Sequence, residues 1–178
     1  MQIKIETPRL ILRSFEEKDA VHLLEYLAEP QVNCFASDKI SSLEQAIEKI
    51  GKRQKTNDYL AVCLKDKDQL IGEIFFQKEE PDTYSVGWNF NSKFQGKGYA
   101  SESAQSLLNY LFYQCNARRI YAYVEEDNLA SQKLCERLGL RKEGCFMEFI
   151  SFVQNTDGTP KYENTFQYAI LKREWDAK

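Results

Sequence analysis

Histidine is nearly missing from this chain: His22 is the single imidazole in 178 residues. That scarcity argues against a His-rich zinc site and against a Ser–His–Asp triad, both of which need imidazole at a fixed place. His22 sits inside a helical pattern and reads as a partly exposed helix residue. The five cysteines (34, 63, 115, 135 and 145) are odd in number and lack CxxC spacing, so reduced thiols in a cytoplasm fit best. The formal net charge is only −3, too little of either sign for bulk attraction to nucleic acid or an anionic membrane. No apolar run approaches the roughly 20 residues of a membrane span. At the N-terminus Glu6 and Pro8 interrupt any apolar signal core. The expectation is a cytoplasmic protein without a membrane or direct nucleic-acid partner.

What is present is ordinary globular material, 43% apolar and 29% charged, enough for one domain over 1–178 with a real core. Leu10 to Leu12 read as a first strand. Ser14 with Glu17 forms a capping-box pattern ahead of Ala20, Leu23, Leu24 and Leu27, which share one helix face. Pro30 ends that helix. Ser41 with Glu44 predicts a second cap, before Leu43, Ala46, Ile47 and Ile50. Strands follow at 59–64 and 69–77, joined by a charged hairpin turn at 65–68. Pro81-Asp82 makes another turn before a strand at 83–91.

Gln95-Gly96-Lys97-Gly98-Tyr99-Ala100 comes next and opens an amphipathic helix over 99–115. Helix starts carry unpaired N–H groups and the positive dipole end. Glycines let that backbone approach a phosphate closely, and Lys97 adds a cation. A strand at about 119–124, where Ile120, Ala122 and Val124 alternate with tyrosines, makes a right-handed crossover between parallel neighbours. Asp127 or Asn128 caps a further helix that stops at Gly139. Long strands at 142–153 and 162–171, hinged at 155–158, close the chain. The two helix starts therefore lie at the carboxyl ends of neighbouring strands, where α/β sheets place ligands.

Two motifs carry a resemblance. One is Gln95-x-x-Gly98-x-Ala100. The other runs from Asn128-x-x-Ser131 to Glu136-Arg137-Leu138-Gly139-Leu140. Together they resemble the Gcn5-related N-acetyltransferases (GNAT). The opening Thr7-Pro8-Arg9-Leu10-Ile11-Leu12-Arg13, the loop from Gly96 to Glu102, Glu143-Gly144 and the ending Tyr168 to Trp175 are similar to the RimJ/RimL-like ribosomal-protein branch. The resemblance implies an α/β GNAT fold. It has a mixed, mostly antiparallel sheet of six to seven strands, about four helices and a splayed parallel pair at the cofactor site. It also implies acetyl-CoA as donor, with coenzyme A as product, and an amine acceptor, either a protein N-terminus or a small amine. Monomer and homodimer both stay open.

On that resemblance the pyrophosphate belongs to residues 95–100 and the adjoining Ser101. The pantetheine arm pairs with backbone at Trp88, Asn89 and Phe90, as an added strand would, and Asn128 bonds it from the other side. Lys133, with Arg137, Arg141 and Lys142, forms a basic cluster that either meets the adenosine phosphate or is a solvated face.

The chemistry needs a neutral amine, an oxyanion donor and a leaving thiolate. A backbone N–H near Phe90 suits the second. Ser131 is the first candidate for the hydroxyl beside the sulfur and Cys135 the second. The alternatives are a first-turn helix serine and a small buried filler. Relatives often carry glutamate at positions held here by Ser85 and Ile150, so the base is sought elsewhere. Glu148 shares a strand face with Ile150 by the two-residue repeat, and Glu73 lies on the preceding strand. Both also read as solvated or structural carboxylates. Phe146, Phe149, Phe152, Tyr162, Phe166 and Tyr168 either line an acceptor pocket or fill the core. The opposing class is a non-catalytic acyl-CoA-binding module of the same fold. A P-loop phosphotransferase is poorly supported, since the loop lacks the Gly-x-x-x-x-Gly-Lys-Ser/Thr pattern and no magnesium-binding cluster is evident.

Overall fold

Alternation along the strands sorts the apolar residues onto two faces of one sheet. In a computed structural model describing residues 3–177, the strands are β1 (Ile5–Glu6), β2 (Leu10–Arg13), β3 (Tyr59–Leu64), β4 (Gln69–Glu79), β5 (Thr83–Phe90), β6 (Arg119–Glu125), β7 (Arg141–Gln154) and β8 (Pro160–Leu171). Their order is β1-β2-β3-β4-β5-β6-β8-β7. Every pairing is antiparallel except β5 with β6. The eighth strand, absent from the sequence reading, is the two-residue edge β1. It is held to β2 through Ile5 opposite Leu12.

The helices are α1 (Ala20–Leu27), α2 (Leu43–Thr56), α3 (Tyr99–Tyr113), α4 (Leu129–Arg137) and the single turn α5 (Lys172–Trp175). Leu10, Leu12, Leu60, Val62, Ile120, Ala122 and Val124 form one core with α3 and α4. Ala61, Cys63 and Leu70 pack on α1 and α2 from the other side. A bulge between Val62 and Cys63 leaves Ile71 unmatched on β4. It restores the phase that buries both Leu70 and Ile71.

Both predicted caps are shifted. Ser14 does not cap the first helix; the Asp19 carboxylate accepts from the Glu16 N–H at 2.8 Å. Arg13 holds Asp19 through two bonds of 2.8 and 2.9 Å, and a charged acceptor outcompetes a hydroxyl. At α2 the cap is Ser42, whose Oγ accepts from the Gln45 N–H at 3.3 Å. Gln45 reaches back to the Ser41 N–H at 2.7 Å.

Candidate active site

The cleft exists because two parallel strands part. β5 and β6 pair only at Thr83–Arg119, Tyr84–Ile120 and Ser85–Tyr121. Both strands run on, to Phe90 and Glu125, with their facing edges no longer in one ladder. A cavity of about 250 Å³ occupies the opening. Val86, Gly87 and Trp88 line one wall and Tyr123, Val124 and Glu125 the other, while Asn128 and Ser131 lie at the α4 end. Cys34, Phe35 and Phe75 close the third side. Gly87 is required here: a Cβ would stand 2.3 Å from the Phe75 ring, so only glycine lets that ring cross β5.

The glycine loop follows from local geometry. The Asn91 Oδ1 accepts from the Lys93 N–H at 3.0 Å, capping a single 3-10 turn over Ser92–Phe94. Gly96 and Gly98 then take φ of 75° and 81°, a left-handed conformation natural to glycine. Gly98 is the N-cap of α3, whose first N–H groups lack intrahelical partners and carry the positive dipole end. Gln95, Gly96 and Lys97 are exposed, while Tyr99, Ala100 and Ser101 are half-buried in the first turn.

The N-terminal segment braces this loop. Arg9 donates from Nη1 to the Lys97 carbonyl at 2.9 Å and from Nε to Glu102 at 2.7 Å. Thr7 donates its hydroxyl to Glu102 at 2.6 Å, and the Arg9 guanidinium stacks 4.7 Å from the Tyr99 ring centre. Burial resists ionisation of Glu102, but the Thr7 and Arg9 bonds hold its carboxyl below the usual range. Sequence reasoning had Thr7, Arg9 and Glu102 as motif residues and missed that they are one clasp.

At the second helix, Asn128 Oδ1 accepts from the Ser131 N–H at 3.1 Å, so Asn128 is the α4 cap. The Ser131 Oγ accepts from the Trp88 indole Nε1 at 3.1 Å. That bond crosses from β5 to α4 and uses one acceptor site of the serine oxygen.

The structure brings Trp88, Asn128 and Ser131 to the cavity. It places Asn89 on β5 with a buried, unpartnered Nδ2, and Phe90 at the strand's end. Lys133 is exposed on α4. It does not bring Cys135 there: the thiol is fully buried in the α3/α4 core, and burial pushes it up to about 12. Glu73 is also wholly buried. It faces Arg53 of α2 at 2.8 Å, and burial raises its carboxyl to about 7 despite that partner.

Glu148 departs from the two-residue rule. Phe146 faces Thr165 and Ile150 faces Glu163, so β7 spends two more residues than β8 over this interval. Glu148 sits in the resulting bulge at φ 49°, exposed, with its N–H donated to Asn164 Oδ1 at 2.9 Å. Of the six aromatic residues on the last strands, Phe146 meets Tyr123 edge-on at 5.9 Å and Phe149 meets it at a tilt at 5.5 Å. Phe166 and Tyr168 belong to the α3/α4 core. His22 lies on α1 beside Glu25 at 3.2 Å. Sequence reasoning also missed Cys34, Phe35, Phe75 and Glu125 in the cavity wall. Glu125 alone carried a signal, its place at the carboxyl end of a parallel strand.

A parallel pair opened beside two helix N-termini is the place where α/β sheets present a ligand cleft. The chain belongs to the acetyltransferase (GNAT) family, whose domain matches residues 9–141; it is an acyltransferase. It is 36% identical over 177 residues to an uncharacterized N-acetyltransferase, YnaD, of Bacillus subtilis, covering 97% of this chain and 99% of that one. A crystal structure of a GNAT-family acetyltransferase from Bacillus anthracis matches with a TM-score of 0.86 at 32% identity, over 97% of this chain and all of that one. The fold of RimL, the ribosomal L7/L12 alpha-N-protein acetyltransferase solved in complex with coenzyme A, matches with a TM-score of 0.76 at 20% identity, over 95% and 98% of the two chains. The α/β fold with its splayed parallel pair stands as the sequence implied. Among the described residues no helix is long and apolar enough to cross a membrane.

Proposed function

We propose that this protein transfers the acetyl group of acetyl-CoA to a primary amine, a protein N-terminal α-amine or a small-molecule amine, by direct attack in a ternary complex. The observation that carries this reading is the opening of β5 from β6 after three residue pairs, beside the uncapped start of α3 and the Asn128-capped start of α4. The residues fit the proposed donor. The α3 start and Lys97 suit a pyrophosphate. The free edge of β5 from Val86 to Phe90 suits an amide-bearing arm, as a strand edge accepts an added strand. The buried Asn89 Nδ2 has no partner in the protein.

Acetyl-CoA, when bound, supplies an acyl group activated as a thioester. The chain's own contribution is placement and proton handling. Asn128 orients the first turn of α4, and Trp88 fixes the Ser131 oxygen. The Ser131 O–H would be placed to donate to the leaving sulfur, whose thiolate has a pKa of about 8.5. A free β5 N–H near Phe90 stabilises charge developing on the acyl oxygen. An α-amine, titrating near ~8, needs little help to become neutral, whereas a lysine near ~10.4 needs more. Five free cysteines support a reducing cytoplasm as the working compartment. Calorimetry with acetyl-CoA, followed by thiol release across an amine panel, tests the proposal. Binding with turnover is the expected result; binding without turnover on any amine reduces the protein to an acyl-CoA-binding module.

A further inference from the structure

β6 and β8 bring together two carboxylates that no motif marks. Glu125 ends β6 opposite Thr165 of β8. Glu163 lies two residues before Thr165, so all three side chains share the sheet face that holds the cleft. Glu125 is 7% exposed and lines the cavity. Glu163 is 8% exposed and Thr165 1%. Asn33 Nδ2 donates to Glu163 Oε1 at 2.5 Å, and the Lys161 ammonium stands 3.8 Å from that same oxygen. The other oxygen, Glu163 Oε2, and the Thr165 hydroxyl are buried without a hydrogen-bond partner. The Cys34 thiol contacts Glu125, and burial together with Glu163 raises the Glu125 carboxyl. Two buried acids thus share one nearby ammonium, that of Lys161 at 3.8 Å, and one Glu163 oxygen and the Thr165 hydroxyl remain unpartnered.

Beside them the β7 bulge sets Phe146 and Phe149 against Tyr123, with the two phenylalanine rings 5.1 Å apart. Tyr123 is 43% exposed and Phe149 48%, so this aromatic shelf is continuous with the cavity wall and open to solvent.

We propose that Glu125 and Glu163 form the ammonium-recognition site of the acceptor, and that the Tyr123–Phe146–Phe149 shelf takes the apolar body attached to it. The substrate class is a primary amine bearing an aromatic or bulky apolar substituent. This inference rests on the acetyl-transfer reading above. An ammonium brings three donors and no acceptor, matching the acceptor-only pair and the lone Thr165 oxygen. Burial raises the Glu125 carboxyl, which suits it to accept a proton. The pair that captures the ammonium therefore also takes one proton from it: an N–H bond breaks, the proton moves to a Glu125 oxygen, and the nitrogen lone pair is freed for attack.

Phenethylamine and its neutral counterpart phenethyl alcohol are the probes, titrated calorimetrically into the full chain. The amine is expected to bind wild type at least tenfold tighter than the alcohol. Glu125→Gln and Glu163→Gln are each expected to lose tenfold or more in amine affinity, with alcohol affinity unchanged. Equal binding of amine and alcohol to wild type, no amine binding, or glutamine variants that bind the amine as wild type does would each overturn the inference. A separate acetyl-CoA titration and acetyl-transfer assay of wild type reads the underlying function, so its failure is seen independently of the amine result.

Discussion

The two sides of the cleft are built from different materials. The β5–α3–α4 side presents backbone: helix N–H groups, a glycine turn and an unpaired strand edge. The β6–β7–β8 side presents side chains, with Glu125, Glu163 and three aromatic rings gathered from separate strands. Backbone recognition follows from local sequence, because glycine and a cap residue fix it within a few positions. Side-chain recognition follows from strand register, which only the assembled sheet sets. A ligand shared by a whole family suits the first kind of surface, and an acceptor that varies suits the second.

The harshest way to break that contrast is Gly98→Val. A β-branched residue at φ 81° is strained, and its side chain occupies the space a phosphate needs. Acetyl-CoA affinity is expected to fall by on the order of a hundredfold or more, read by calorimetry, with circular dichroism showing a folded chain. A second substitution tests the scaffold behind the backbone half, on β4 next to β5. Arg53→Met leaves Glu73 buried without its 2.8 Å partner and should cost about 3–5 kcal/mol in urea unfolding. Replacing both residues with apolar ones should recover most of that loss.

Ser131→Ala probes the seam between the halves. Turnover should drop by about a hundredfold, the lower end of general acid contributions, while acetyl-CoA affinity stays near wild type. Equal rates in the two proteins would reduce Ser131 to a cap-turn residue. A gentler effect comes from pH. The Glu73 carboxyl is raised from 4.5 to about 7 in the folded state, so the native protein binds the extra proton between those values. The stability this group contributes is present below the lower value and lost as pH climbs through the upper. Urea midpoints across that window should therefore slope less for Glu73→Gln than for wild type.

How much of this was legible beforehand follows the same division. The strand ladder, the charged hairpin at 65–68, the parallel crossover and both helix starts could be read, because period and turn chemistry act over short distances. The Ser14 cap failed because Arg13 holds Asp19 in a better position. Glu148 was assigned a face by the two-residue repeat, and a bulge broke that repeat. Cys135 and Glu73 carried the right chemistry for a site, but burial in two different packing layers takes them away from it. Glu125 and Glu163 became neighbours only through the β6–β8 register, which no local pattern encodes.

The clasp of Thr7 and Arg9 on Glu102 and the Lys97 carbonyl ties β2's approach to a turn some ninety positions downstream. Trimming the chain through its ninth residue would remove nothing that touches the cavity, yet the unbraced turn would then sample many shapes before gripping its anion. Affinity should decline by roughly three- to tenfold, about the net worth of one ordinary hydrogen bond, chiefly through a slower capture step. Stopped-flow fluorescence on the shortened protein would show it.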